Sequence, residues 1–103
     1  EILKMRKNQW IQTIRSGCGT SFQKKVWQAL LQIPKGEVRS YQWVAQKIGR
    51  PKAVRAVANA CGKNRYAPHV PCHRVIRSDG SLGGYSGGLG KKKRLLRKEG
   101  IRV

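Results

Sequence analysis

With 103 residues, 39% of them hydrophobic and 26% charged, the chain can bury one modest core but not two. No apolar run approaches the roughly 18 residues that a membrane-spanning helix needs. Lys and Arg number 23 against 4 Asp and Glu, a net +19. That self-repulsion points to a polyanionic partner, nucleic acid first, and the spread of the cations along the chain argues against an anionic membrane.

The leader, residues 1–17, is open between helix and strand. Trp10, Ile11 and Ile14 fall at helical spacing, whereas Ile2, Leu3 and Met5 partly alternate. Gly17-Cys18-Gly19 ends it. Thr20 or Ser21 then caps a helix whose apolar positions are Phe22, Val26, Trp27, Leu30 and Leu31. Pro34-Lys35-Gly36 stops that helix, and Glu37-Val38-Arg39 reads as short and extended. Ser40 caps the next helix, with Tyr41, Val44, Ala45 and Ile48 inward and Gly49 closing it.

Pro51 fits the first turn of a further helix, roughly Lys52 to Gly62, because its missing N–H is harmless there. Two short helices joined across Gly49-Arg50-Pro51 make a helix-turn-helix, and at +19 that motif points to DNA. The second helix displays Ala53, Val54, Ala56, Val57, Ala58 and Ala60 around one large cation, Arg55. Such small side chains predict close backbone approach rather than base reading in the major groove. Arg55 reads as a probe for a minor groove or a base stack, or more plainly as a phosphate contact.

Lys63 to Val70 is a polar loop containing Asn64. It leads to Val70-Pro71-Cys72-His73-Arg74-Val75, where a cysteine stands beside one of two histidines. Neighbouring positive charge lowers a thiol's pKa, so Cys72 is expected to be a thiolate nucleophile, with Pro71 fixing its orientation. The plainer reading is a small buried hydrophobe in a turn. On an extended backbone His73 would point away from Cys72, so a base role needs a water or a turn. Three cysteines without a CxxC pair read as reduced thiols, and two unclustered histidines make a metal site unexpected.

Val75-Ile76-Arg77 and Ser81-Leu82 read as a hairpin turning at Ser78-Asp79-Gly80. The glycine-rich stretch from Gly83 to Gly88 matches no dinucleotide fingerprint and places Tyr85 as one wall of a pocket. A last helix, Lys91 to Glu99, turns Leu95 and Leu96 inward. Glu99 either forms an intrahelical ion pair or orients a histidine.

From about Gly19 to Gly100 these pieces stand in a recognisable order. They are Ser21-Phe22, Val26-Trp27, Pro34-x-Gly36-Glu37, Ser40-Tyr41, Pro51-Lys52-Ala53-x-Arg55-Ala56-Val57, Asn64, Pro71-Cys72-His73-Arg74-Val75, Gly80, Gly83, Tyr85-x-Gly87-Gly88 and Glu99-Gly100. The set resembles the O6-alkylguanine-DNA alkyltransferases, also called methylated-DNA-protein-cysteine methyltransferases. The resemblance implies a mainly α, winged helix-turn-helix-like DNA-binding domain with a short β-hairpin. It implies DNA repair by one irreversible transfer of an alkyl group from guanine O6, or thymine O4, to Cys72, with no cofactor and no metal. His73 would act as a water-mediated base oriented by Glu99, Asn64 would brace the loop, and Tyr41 would hydrogen-bond the leaving base.

By the same resemblance Val75, Tyr85, Ser86 and Pro71 would line the base pocket. Ser40, Tyr41, Gln42, Ala53, Ala56 and Ser78 would meet DNA through its minor groove with little sequence preference, and Arg55 would fill the gap left by a flipped nucleotide. The partner is double-stranded DNA carrying O6-alkylguanine. The protein is expected to be a monomer, with cooperative binding on DNA left open, and to work in the cytoplasm of a prokaryote or the nucleus of a eukaryote.

Residues 1–18 are too few for the additional N-terminal domain of most members. They are expected to be a leader or the remnant of that domain, with 19–103 as the functional unit, and a first residue of Glu agrees with an excised piece. Glycines after Ser86 leave little bulk to close the pocket, so groups larger than methyl are expected to be tolerated. The rivals are a lesion-sensing DNA-binding protein with an idle thiol and a cysteine hydrolase, to which +19 gives no benefit.

Overall fold

The computed structural model describes residues 5–85 and 87–103. Residues 1–4 and Ser86, an expected pocket residue, lie outside the described residues.

Local signals set the first three helices. The leader is helical, α1 (Lys7–Ser16), and its i, i+4 pair Trp10 and Ile14 is buried. In α2 (Ser21–Leu30) the Thr20 side chain accepts from the Gln23 N–H at 3.0 Å, while the Gln23 side chain accepts from the Thr20 N–H at 3.0 Å. That reciprocal cap stabilises by about 1 kcal/mol. Val26, Trp27 and Leu30 face inward, and the Trp27 indole donates to the Ala60 carbonyl at 2.9 Å, tying α2 to α4 (Val54–Gly62). Between them α3 (Tyr41–Lys47) is capped by the Ser40 hydroxyl, which accepts from the Trp43 N–H at 2.9 Å, and ends at Gly49 with φ +76.

Two boundaries differ from expectation. Pro51 is not in a helical first turn. Pro51 and Lys52 form a turn, closed by the Ala53 N–H donating to Arg50 O at 2.9 Å, and α4 begins only at Val54. The last helix, α5 (Leu89–Lys98), starts earlier than expected, and it buries Lys92 with Leu96 while Leu95 is only half-buried.

The expected hairpin is corrected as well. Its turn forms, with Arg77 N–H donating to Ser81 O at 2.9 Å, but among the described residues no strand runs back beside it. Instead β2 (Val75–Ile76) pairs in parallel with β1 (Arg39–Ser40), Arg39 opposite Val75 and Ser40 opposite Ile76. The reason is local. Gly83 leaves the β region at φ +70, and the carbonyls of Leu82 and Gly84 are taken by the Lys92 ammonium.

The core lies between α1, α2, α3 and α4, with Val70, Val75 and Leu96 closing it from the Cys72 side. Tyr66 sets its ring edge-on to Trp10 (5.9 Å) and Trp27 (5.8 Å), so α1 is fastened to the loop before Cys72. Truncation of Ile14 therefore tests whether α1 is part of the cooperative unit. Ile14→Ala is expected to lower unfolding free energy by about 3 kcal/mol in a urea titration, with one transition retained.

Candidate active site

Asn64, just beyond α4, is buried and spans the loop that presents the thiol. Its Nδ2 donates to Val70 O at 2.7 Å, and its Oδ1 accepts the Tyr66 N–H at 2.9 Å. Pro71, buried at φ −84, ψ 69, delivers the chain into one 3-10 turn, Cys72–Arg74. That turn answers the geometric objection of an extended chain, because it carries His73 and Arg74 together onto α5. His73 Nε2 lies 2.9 Å from Glu99 Oε2. The Arg74 guanidinium grips the same carboxylate, Nε to Oε1 at 2.9 Å and Nη2 to Oε2 at 2.8 Å, while its Nη1 donates to Ile33 O at 2.8 Å. Of the two roles weighed for Glu99, the histidine contact is present, and among the described residues no intrahelical ion pair forms. Arg74 as the third partner was not anticipated.

The electrostatics correct the expected thiolate. Burial raises the Cys72 pKa above its ordinary value, against opposing contributions from the Asn64 side chain, the Lys92 charge and Tyr85. Sequence-adjacent Arg74 does not help, because its charge is spent on Glu99. Cys72 therefore rests as a thiol. Burial likewise lowers the His73 pKa more than Glu99 raises it, so its imidazole is neutral at rest. Its Nδ1 is buried without a protein partner among the described residues and is the nitrogen left to take a proton. Burial would push Glu99 up, but hydrogen bonds from Arg74 and His73 hold its carboxyl at about 2.

Cys72 opens into a cavity of about 280 Å³, lined also by Tyr41, Ala58, Asn59, Cys61, Gly62, Gly84 and Tyr85. Burial pushes both tyrosines to about 12, which keeps their hydroxyls as donors. Gly83 is needed beside them, since a Cβ there would stand 3.1 Å from the Tyr41 hydroxyl. Two expected pocket residues do not line this cavity. Val75 is fully buried in β2, and Pro71 faces a separate cavity with Trp10, Leu31 and His69. The α4 wall residues Ala58, Asn59, Cys61 and Gly62 were missed. Their signal was the run of small residues, read only as an outward face.

A neighbouring groove shares Tyr41, Ala58 and Gly84 with the thiol cavity and adds Val54, Arg55, Arg77 and Gly83. It brings the expected probe Arg55 beside the thiol's entrance, together with Arg77, a cation not singled out before. Ala56 and Ser78 are exposed and Ala53 caps α4. Ser40 and Gln42 already have protein partners, the former as the α3 cap and the latter donating from Nε2 to Pro51 O at 2.9 Å. Among the described residues no three His, Cys, Asp or Glu side chains cluster to hold a metal ion, and no helix is long and apolar enough to cross a membrane.

Comparison with known proteins agrees with this arrangement. Residues 21–101 match the family described as 6-O-methylguanine DNA methyltransferase, DNA binding domain. The bifunctional transcriptional activator/DNA repair enzyme Ada of Escherichia coli is 59% identical over 81 residues, which is 79% of this chain and 23% of that protein. The methylated-DNA–protein-cysteine methyltransferase of Mycobacterium leprae is 56% identical over 82 residues, 80% of this chain and 50% of that one. The chain thus spans half or less of these relatives. Mycobacterium tuberculosis OGT in complex with DNA superposes with a TM-score of 0.79 at 54% identity, covering 81% of this chain and 51% of that one. S. pombe Atl1, in complex with damaged DNA containing O6-carboxymethylguanine, superposes at 0.74 with 32% identity, covering 84% and 82%. With four-fifths of its length matched, and with the Cys72 turn, the helix-turn-helix and the basic groove in one arrangement, the chain belongs to the 6-O-methylguanine DNA methyltransferase family, in its DNA-binding domain.

Proposed function

We propose that this chain repairs DNA by transferring an alkyl group from guanine O6 in a duplex to Sγ of Cys72, once per molecule. The observation that carries this reading is a buried thiol on the wall of a base-sized cavity, backed by the chain His73, Glu99 and Arg74. In the reaction the thiol proton passes through a water to neutral His73, whose new charge Glu99 stabilises. The sulfur then attacks the alkyl carbon. An S–C bond forms as the C–O6 bond breaks, and the electron pair leaves with guanine, where the protonated Tyr41 hydroxyl donates to the base. The thioether has no leaving group that water can displace readily, so the protein is consumed.

A stacked guanine cannot reach the cavity, so its nucleotide must be turned out, at a cost of a few kcal/mol. Arg55, on the groove that adjoins the cavity, is suited to occupy the gap, and the alanines of α4 permit close approach in a minor groove. The small α4 wall, Ala58 and Gly62, favours acceptance of groups larger than methyl. A lesion sensor would have no use for the buried acid-base chain behind Cys72.

Incubation with a duplex containing O6-methylguanine is expected to add one methyl group per chain, mapped to Cys72 by peptide mass. Cys72→Ala should take none yet keep its affinity for the duplex, and a methyl on Cys18 or Cys61 instead would sink the proposal. Arg55→Ala should slow transfer from duplex about tenfold, roughly 1.4 kcal/mol of flipping free energy, while transfer from a single strand changes little.

The Glu99 carboxyl titrates at about 2 in the folded chain against an ordinary 4.5, so its stabilisation is present above 4.5 and fades as pH falls toward 2. Glu99→Gln should therefore cost about 2 kcal/mol at neutral pH, allowing for solvent screening, and almost nothing near the lower limit. Urea titrations at several pH values read this directly. An equal deficit at every pH would remove the ion pair as its source.

A further inference from the structure

Lys92 has no exposed surface, in a protein whose other cations are mostly solvated. Among the described residues no carboxylate pairs with it. Its ammonium instead donates to three backbone carbonyls: Val75 at 2.7 Å, Leu82, and Gly84 at 3.3 Å. Val75 follows the Cys72 turn, and Leu82 and Gly84 belong to the segment that carries the cavity wall to Tyr85. One side chain on α5 thus joins the two sides of the reaction cavity.

Three neutral donors would satisfy three carbonyls without burying a charge, which costs several kcal/mol in protein interiors. The groups facing the ammonium show what the charge meets. The Tyr41 ring of α3 lies 5.9 Å away, Cys61 faces it from α4, Cys72 and His73 from the turn, and Arg77 from beyond β2. Burial, the largest influence, and Arg77 lower the ammonium's pKa below its ordinary value, while the two thiols, Cys61 and Cys72, work to raise it and so favour its charge. The other cations near Cys72 cannot steady an anion there. Arg74 is neutralised by Glu99, Arg77 is exposed to screening solvent, and His73 becomes charged only after it has taken the proton.

We propose that Lys92 is a positioning residue of the transfer reaction: its ammonium clips the Leu82–Gly84 wall to the strand behind Cys72 and holds a fixed positive charge against the thiolate as it forms. The proposal rests on the alkyl-transfer reading. Lys92 does not line the thiol cavity and acts through Cys72 and the wall.

The test compares the native chain with Lys92→Gln, which keeps N–H donors but no charge, and Lys92→Met, which keeps volume but neither donors nor charge. Alkylation of Cys72 by iodoacetamide is followed against pH by peptide mass, beside single-turnover methyl transfer from an O6-methylguanine duplex. In folded Lys92→Gln the midpoint of the iodoacetamide profile should rise by about one pH unit, with about tenfold less thiolate at neutral pH. Methyl transfer should fall in parallel and recover as pH is raised, whereas Lys92→Met should not recover fully because the clip is lost as well. An unchanged midpoint in folded Lys92→Gln, or a transfer defect independent of pH, overturns the proposal. If neither variant folds, Lys92 is a structural tie alone and the charge role is overturned. A native chain that takes no methyl refutes the transfer reading instead, and the iodoacetamide midpoints still decide whether Lys92 governs the thiol.

Discussion

The Glu99 carboxylate is the contact on which the rest of this site depends. It receives His73 and Arg74, successive residues of one turn, and through the Arg74 Nη1 bond to Ile33 O it reaches the turn that follows α2. One acid therefore fixes three elements that are far apart in sequence, and it is one of only four acids in a chain of net +19. In so basic a chain, carboxylates are where local charge can be balanced, and this one lies against the imidazole that would become an imidazolium in the proposed transfer. Because Arg74 shares it, the carboxylate stays ionised whatever the protonation of His73.

A thiol kept protonated by burial and a histidine kept neutral by burial form a resting pair with little charge to attract stray electrophiles. In the proposed transfer, reactivity is produced in place, by a proton leaving as the substrate arrives. That restraint suits the proposed transfer, in which the protein would be consumed in one event. A permanent thiolate would be exposed to loss by oxidation or adventitious alkylation before any lesion is met.

Elements whose causes are local were legible in the sequence. The Thr20 and Ser40 caps, the α2 stripe and the corner across Gly49 lie where short-range spacing puts them. Cys72, His73, Glu99, Asn64 and Tyr41 also stand around one site, as the ordered motifs implied. What sequence alone missed was set by non-local packing. Charge adjacent in the chain pointed to a lowered Cys72 pKa, but burial reverses the sign, and Arg74 is turned onto α5. The family resemblance implied Val75 as a pocket residue, whereas here it pairs with Arg39 of β1 and is buried outside the cavity lining. Lys92 was hidden by its type, because a lysine in a basic helix is expected in water. Leu96, four residues on, was read as inward, yet the lysine on the same face was read with the outward basic residues, because nothing in the sequence shows the three carbonyls that its ammonium meets.

The two-residue parallel ladder has a further consequence. Ser40 pairs with Ile76 and Arg39 with Val75, Tyr41 follows Ser40 directly, and Cys72 lies three residues before Val75. The spacing between the Cys72 thiol and the Tyr41 hydroxyl is therefore gauged by main-chain pairing, independent of which side chains occupy the ladder. Loop lengths after Ile76 can drift among descendants of this chain without disturbing that gauge, as can the outward chemistry of residue 39. A single residue inserted between Cys72 and Val75, or between Ser40 and Tyr41, would put the instrument permanently out of calibration.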